Sequence, residues 1–361
     1  MQPSKYRQLF KELRQQILDA VFTAGNPFPS ESALAREKGL TRNTVHRAYL
    51  ELRRQGLVEG NPGEPPRLTR RAVRRKIGLV VRGTSYSEFF QPIVGEISML
   101  AQRKGYSILF GNTAADNPVR LARDAKALAQ NLVDCGASGV ILQPFEFVRN
   151  STELNAAMLA VFAAAEVPVV LIDYDAVQPP GRTACDLVGI NNFQAGWRLA
   201  DHLLAAGARQ IDFVLRPDCA WSVHGRLDGV RAAVARAGMP PVRVLSAAPD
   251  DSAALRRHLR KGRPDAFVCG NDTLAAQVKQ TLENAGLKIP DDILLAGFDD
   301  VQIAALLTPP LTTIHQPCRE IGAKAFSLLL RRMRNPQSSA LEVFLPAPLV
   351  VRASTCRPRT G

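Results

Sequence analysis

At 361 residues, with 46% apolar and 22% charged side chains, the chain is long enough for two or three globular units with substantial cores. No apolar run approaches the roughly 18 residues of a membrane-spanning helix, and the charged start MQPSKYRQLFKEL carries no export signal, so the chain reads as cytoplasmic with no membrane partner. The net charge of +13 is uneven: residues 1–76 hold 16 Lys and Arg against 7 Asp and Glu, the footprint of a nucleic-acid-binding head on a nearly neutral body.

In chain order, the spacing of Tyr6, Leu9, Phe10, Leu13, Ile17 and Val21 predicts a first helix from Ser4 to about Phe22. GNPF breaks it, and PSESALAREKG reads as a short helix capped by Ser30 and closed at Gly39. A third helix starts at the N-cap Thr41 and is stopped by Gly56. Val45, Ala48, Tyr49 and Leu52 line its apolar face, while Arg42, Asn43, Thr44, His46 and Arg47 fall outside that stripe. A helix whose first turns carry amides, hydroxyls and positive charge suits a major groove. Leu57-Val58-Glu59, a turn at Asn61-Pro62-Gly63 and Arg67-Leu68 predict a β-hairpin wing. NPGEPPRLTRRAVRRK then reads as a proline-rich, basic connector, either solvated or in contact with phosphates.

From Lys76 onward, apolar runs such as IGLVV, GVILQP, VPVVLID, IDFVL, AFVCG and ILLAGF alternate with helical segments. This predicts parallel sheets covered on both faces, in two lobes. Ligands of such sheets sit beyond the C-terminal strand ends. Those positions hold Ser85, Phe89 and Phe90, then Gln143, Asp173, Asn191 and Asn192, then Trp221 and Arg226, Asn271 and Asp272, and Asp299 and Asp300. Carboxylates, amides, one arginine and aromatic faces are the kit for a polyol such as a sugar.

The first 65 or so residues resemble the winged head of the GntR family of transcription regulators. The likeness rests on Tyr6, Pro29-Ser30-Glu31, Leu34-Ala35, Thr41-Arg42-Asn43-Thr44-Val45, Ala48, Leu52 and Gly56-Leu57-Val58. It implies DNA contacts by Ser30, Thr41, Arg42, Asn43, Thr44 and His46, with Arg67 on the wing; Arg42 would read a guanine. Ser32 and His46 stand where that family often has arginine, and the wing lacks its glycine-threonine tip.

Residues 76–356 resemble the effector domain of the LacI/GalR family, through VGINNFQAGWRLADHLLAAGARQIDFV, NDTLAAQVKQTLENAGLKIPDDILLAGFDD and PPLTTIHQP. That resemblance implies a type I periplasmic-binding-protein fold: two Rossmann-like lobes, three crossovers and a ligand in the cleft. It puts ligand contacts on Phe89 or Phe90, Gln143, Asp173, Arg226, Asn271, Asp299 and Gln316. A GntR-type head in place of the LacI hinge helix is the combination of the arabinose-repressor subgroup. The expected organisation is a winged helix-turn-helix over residues 1–69, a linker over 70–76 and an effector domain over 77–356. Lobe one takes about 77–188 and 317–343, lobe two about 189–316 and 344–356.

The six cysteines stand singly, without CxxC spacing, and read as reduced; the five histidines pair with no nucleophile or metal motif. No cofactor, metal or catalytic constellation is expected. The reading is a homodimeric repressor on a palindromic operator, with sugar in the cleft changing operator affinity. The alternatives are the same architecture sensing a nucleoside, purine or phosphorylated sugar, or a sugar-binding module without a regulatory role.

Overall fold

Three helices and a short ribbon make the head: α1 (Lys5–Leu18), α2 (Glu31–Lys38), α3 (Arg42–Arg54), β1 (Val58–Glu59) and β2 (Arg67–Leu68). The computed structural model describes all residues except 1–4, 19–20, 23–25, 61–65, 70–75, 82–87, 112–117, 249–250 and 358–361. Ser85, the hairpin turn at 61–63 and the connector arginines Arg70, Arg71, Arg74 and Arg75 therefore lie outside the described residues. Leu9, Leu13, Ile17, Leu34, Val45 and Tyr49 meet in one small core. The Tyr49 hydroxyl donates to the Pro29 carbonyl at 2.7 Å, which ties the interior to the segment before α2. Val58 pairs with Leu68 across the antiparallel ribbon, forming the wing. One expectation fails at the end of α1. The apolar spacing carries the helix to Phe22 with Val21 inward, but the described helix is Lys5–Leu18, Val21 and Phe22 are not helical, and Val21 is exposed. Asn26-Pro27 shortly afterwards favours chain reversal over a further turn.

The body is built on two six-stranded sheets. The first runs in the order β13-β7-β6-β5-β3-β4, with β3 (Lys76–Val80), β4 (Ser107–Gly111), β5 (Ala137–Leu142), β6 (Val169–Ile172), β7 (Asp186–Ile190) and β13 (Glu342–Leu345), and every neighbour is parallel. Helices α4 (Phe90–Arg103), α5 (Pro118–Asp134), α6 (Ser151–Ala164) and α12 (Cys318–Arg334) accompany it. The second sheet runs β14-β12-β11-β10-β8-β9, with β8 (Ile211–Leu215), β9 (Arg243–Ser246), β10 (Ala266–Cys269), β11 (Leu294–Asp299), β12 (Thr312–His315) and β14 (Leu349–Val350). Only β14 is antiparallel to its neighbour there. Its helices are α7 (Asn192–Ala205), α8 (Trp221–Arg236), α9 (Ser252–Arg260), α10 (Asp272–Asn284) and the short α11 (Gln302–Leu306). Strands buried along their whole length, such as VVLI of β6 and IDFVL of β8, explain why their sequences show no alternation.

The chain passes between the lobes three times: from β7 into α7, from β12 into α12, and from β13 into β14. Helices α7 and α8 cross at unusually close range. A Cβ on Gly196 would lie 2.0 Å from the Arg226 carbonyl oxygen, and one on Gly229 would lie 2.0 Å from that of Phe193. Only glycine permits this approach, and it fixes the helix that carries Arg226.

Candidate functional site

The DNA-facing candidates sit at the start of α3. Thr41 caps it, its Oγ1 accepting from the Thr44 N–H at 3.3 Å, and the two hydroxyls are 2.8 Å apart. Ser30 caps α2 in the same way, accepting from Ala33 N–H at 3.2 Å, and Gly39 closes that helix at φ +61°. These hydroxyls are therefore partly spent on holding the turn. Arg42 and Asn43 are exposed, as is Arg67 on the wing. His46 is drawn aside: its Nδ1 lies 3.0 Å from Glu31 Oε2, and the other Glu31 oxygen is 3.5 Å from Arg53. Arg47 packs over the Tyr6 ring at 4.2 Å, bracing α3 on α1.

The second constellation lies between the lobes at the C-terminal strand ends. Arg226, 3% exposed, is its centre. Its Nε donates to Asn192 Oδ1 at 2.9 Å, its Nη1 to the Gly270 carbonyl at 2.7 Å and to Asp299 Oδ1 at 3.3 Å, and its plane covers the Phe298 ring at 4.8 Å. Gln316, on the second crossover, donates to the same Asp299 oxygen at 2.7 Å. Asp173 faces this group from lobe one at the end of β6, and Ser222 of α8 donates to its Oδ2 at 3.4 Å. Asp173 (φ +74°), Asp299 (φ +110°) and Asp300 (φ +56°) all adopt the left-handed region, a backbone cost often met at binding sites.

Burial pushes the Asp173 carboxyl above the ordinary carboxylate range, against the pull of Arg226 and the Ser222 hydroxyl. Asp299 is raised by burial, opposed by Arg226 and Gln316; Asp272 is raised by burial and by Asp299. Asp173 and Asp299 thus share the Arg226 guanidinium. Two acceptors, Asp173 Oδ1 and Gln316 Oε1, are buried with no hydrogen-bond partner among the described residues, a cost of about 1–3 kcal/mol each unless a donor meets them.

Phe89 and Phe90 are buried at the start of α4 with rings 4.7 Å apart, edge to face. Gln143 Nε2 donates to Glu146 Oε1 at 3.3 Å, just beyond β5. Trp221 opens α8 and leans on His224 at 5.2 Å. Asn191 and Asn271 are helix caps: their Oδ1 atoms accept from Gln194 N–H and Leu274 N–H. The inward work falls to the next residue in each case. Asn192 holds Arg226, and Asp272 takes the Thr313 hydroxyl at 2.7 Å and the Val301 N–H at 3.2 Å, bracing the turn that carries Asp299.

Sequence reasoning missed a contact across the mouth of the cleft. Phe147 of lobe one donates its N–H to the Asp218 carbonyl of lobe two at 2.6 Å, both residues at positive φ. Arg216 of lobe two lies over the Phe147 ring at 4.1 Å. A left-handed phenylalanine has no sequence signature, and no spacing rule pairs residues 71 apart.

Residues 5–67 match the gntR family of bacterial regulatory proteins, and residues 200–355 match the periplasmic binding protein-like domain. The arabinose metabolism transcriptional repressor of Geobacillus stearothermophilus is 27% identical over 97% of this chain and 97% of its own length. The ribose operon repressor of Escherichia coli is 30% identical over 77% of this chain and 81% of its own. A LacI family transcriptional regulator from Enterococcus faecium, solved with bound ribose, superposes with a TM-score of 0.64 at 24% identity, covering 77% of this chain and 98% of that one, and shares the fold. The comparisons meet in chains that join a DNA-binding head to a two-lobed body.

Proposed function

The chain belongs to the family of bacterial transcriptional repressors that join a GntR-type head to a LacI-type effector domain, and from that premise we propose that a neutral pentose-sized sugar in the interlobe cleft releases it from its operator. The observation that carries this reading is the pair of buried acceptors, Asp173 Oδ1 and Gln316 Oε1, unpartnered among the described residues, beside the Arg226–Asp299 pair. Vicinal hydroxyls supply donors to the carboxylates and acceptors to the guanidinium at once. A phosphate would meet the Asp173 and Asp299 carboxylates beside Arg226, so a phosphorylated ligand fits this cleft poorly. Relatives named for arabinose and ribose regulation support the pentose.

At the other end, Arg42 and Asn43 of α3 enter the major groove, Arg67 reaches from the wing, and Ser30, Thr41 and Thr44 lie against phosphates. The protein acts as a homodimer on a palindromic site. Phe110 and Val244 stand exposed on the free edge strands β4 and β9, apolar ground for such a seam.

The test is operator binding by the full chain in the presence of arabinose, ribose, a hexose, a purine and a sugar phosphate. A pentose is expected to release operator from the wild type, with Asp299→Ala remaining bound at every concentration. Release by the purine or the sugar phosphate alone, or normal release from Asp299→Ala, overturns the assignment.

A further inference from the structure

A cavity of about 1220 Å³ lies between the head and the end of lobe one where its strands begin, far from the interlobe cleft. Its floor is apolar, formed by Ala160 and Ala163 of α6, Val169, Val177 and Met333. Its rim is cationic. Arg14, Arg53 and Arg54 come from the head, Arg332 and Arg334 from the last turns of α12, and Glu166 is the one acid among the described lining residues.

Part of this charge is already answered. Asp186 holds Arg332 through two hydrogen bonds of 2.8 and 3.0 Å, Glu51 lies 3.1 Å from Arg54, and Glu31 lies 3.5 Å from Arg53. The rest is not. Among the described residues Arg14 reaches the neutral Gln55, at 3.1 Å, and no carboxylate; its pKa is lowered by burial and then by Arg334. The Arg53 Nε is buried with no partner among the described residues. Two basic surfaces of one chain therefore confront each other over an apolar floor. An anion between them turns that repulsion into attraction. An apolar floor with a few convergent polar groups is also how small-molecule sites are built.

We propose that this cavity is a second effector site, distinct from the sugar cleft, for a small organic phosphate whose phosphate groups are shared by Arg14, Arg53 and Arg334 and whose apolar body rests on the α6–α12 floor. Occupancy clamps the head to lobe one and so changes operator affinity without passing through the interlobe cleft. The apolar floor favours a small molecule with an apolar body over a duplex backbone, which would keep its phosphates at the surface.

The experiment measures thermal unfolding and operator affinity of the full chain with ATP, glucose 6-phosphate and fructose 1,6-bisphosphate, at ionic strength matched with sodium chloride and with sodium sulfate. The variant is Arg14→Ala/Arg334→Ala; Arg334 is exposed, and Arg14→Ser/Arg334→Gln serves if that pair lowers stability by itself. At least one organic phosphate is expected to raise the midpoint by several degrees and shift operator affinity several-fold. Both effects should vanish in the double variant while its response to neutral sugar is unchanged. The proposal is overturned if no organic phosphate raises the midpoint, if sulfate does so equally, or if the shift survives the double substitution. A phosphate shift lost in Asp299→Ala but kept in the arginine variant places the phosphate in the cleft, which overturns this site and the neutral-sugar reading together. An operator affinity that falls in the double variant with no organic phosphate present, with a flatter salt slope, assigns the arginines to DNA instead.

Discussion

In the head, Arg42, Asn43 and Arg67 stand in solvent on a helix and a ribbon whose packing does not involve them; in the cleft, Arg226 is 3% exposed and its bonds reach α7, the end of β10 and the end of β11. Both regions use cations and amides. The head leaves them hydrated, free to meet DNA as proposed, so each can be removed without touching the fold. The cleft has desolvated them in advance, so each removal leaves a neighbour unpaired. Recognition by the first is a surface property, and by the second a property of the packed core.

Four measurements sharpen or break that contrast. The largest effect is expected for Arg226→Ala, which leaves Asp299 and Asn192 buried without their partner. Losing one member of a buried pair costs about 3–5 kcal/mol, so the unfolding midpoint should drop and the sugar response vanish, with operator affinity of the folded protein retained. Lost operator binding would mean that the two regions are not independent. Next is Gly229→Ala, whose Cβ would lie 2.0 Å from the Phe193 carbonyl oxygen. Forcing α7 and α8 apart should cost roughly 1–3 kcal/mol and weaken sugar binding by displacing Arg226. An unchanged midpoint in calorimetry would show that the crossing is not as tight as this spacing requires.

Arg42→Ala should reverse the pattern. Operator affinity should fall by about 1–3 kcal/mol on the cognate sequence, with much less loss on random DNA and no change in unfolding. Equal losses on both sequences would reduce Arg42 to a phosphate contact. The smallest effect is on pH dependence. Burial raises Asp173 and Asp299, and a carboxylate accepts from two hydroxyls only when ionised. Sugar binding should therefore release protons, and affinity should weaken as pH falls through the raised values. Titration calorimetry in two buffers of different ionisation heat reads the released protons directly; heats independent of buffer would place the hydroxyls elsewhere.

Much of the head was legible because its determinants are local. The caps Ser30 and Thr41, the stop at Gly39 and the stripe Val45, Ala48, Tyr49, Leu52 each involve residues within four positions of one another. The end of α1 escaped because the apolar spacing outlasts the helix. In the body, strand–helix alternation revealed the two sheets, and the strand-end rule found the neighbourhood of Asp173, Arg226 and Asp299. It did not distinguish adjacent polar residues. Whether Asn191 or Asn192 turns inward depends on the residue at which α7 begins, and likewise for Asn271 and Asp272 at α10. The hydrogen bonds from Ser222 to Asp173 and from Phe147 to Asp218 join opposite lobes, and local sequence carries no trace of them.

The Phe147–Asp218 contact bears on how the repressor would be tuned. A backbone hydrogen bond from Phe147 to Asp218 and Arg216 over the Phe147 ring join the lobes at the mouth, so contacts made by the chain itself contribute to the free energy of closure alongside those made to a ligand. The fraction of molecules closed at zero sugar divides the intrinsic dissociation constant to give the apparent one. That fraction therefore sets the concentration of half-response and the basal leak of the promoter together. A cation–π contact of about 0.5–2 kcal/mol moves both by roughly 2- to 30-fold and in opposite directions. If sugar releases the operator as proposed, Arg216→Ala should raise the concentration of half-response and lower background expression together.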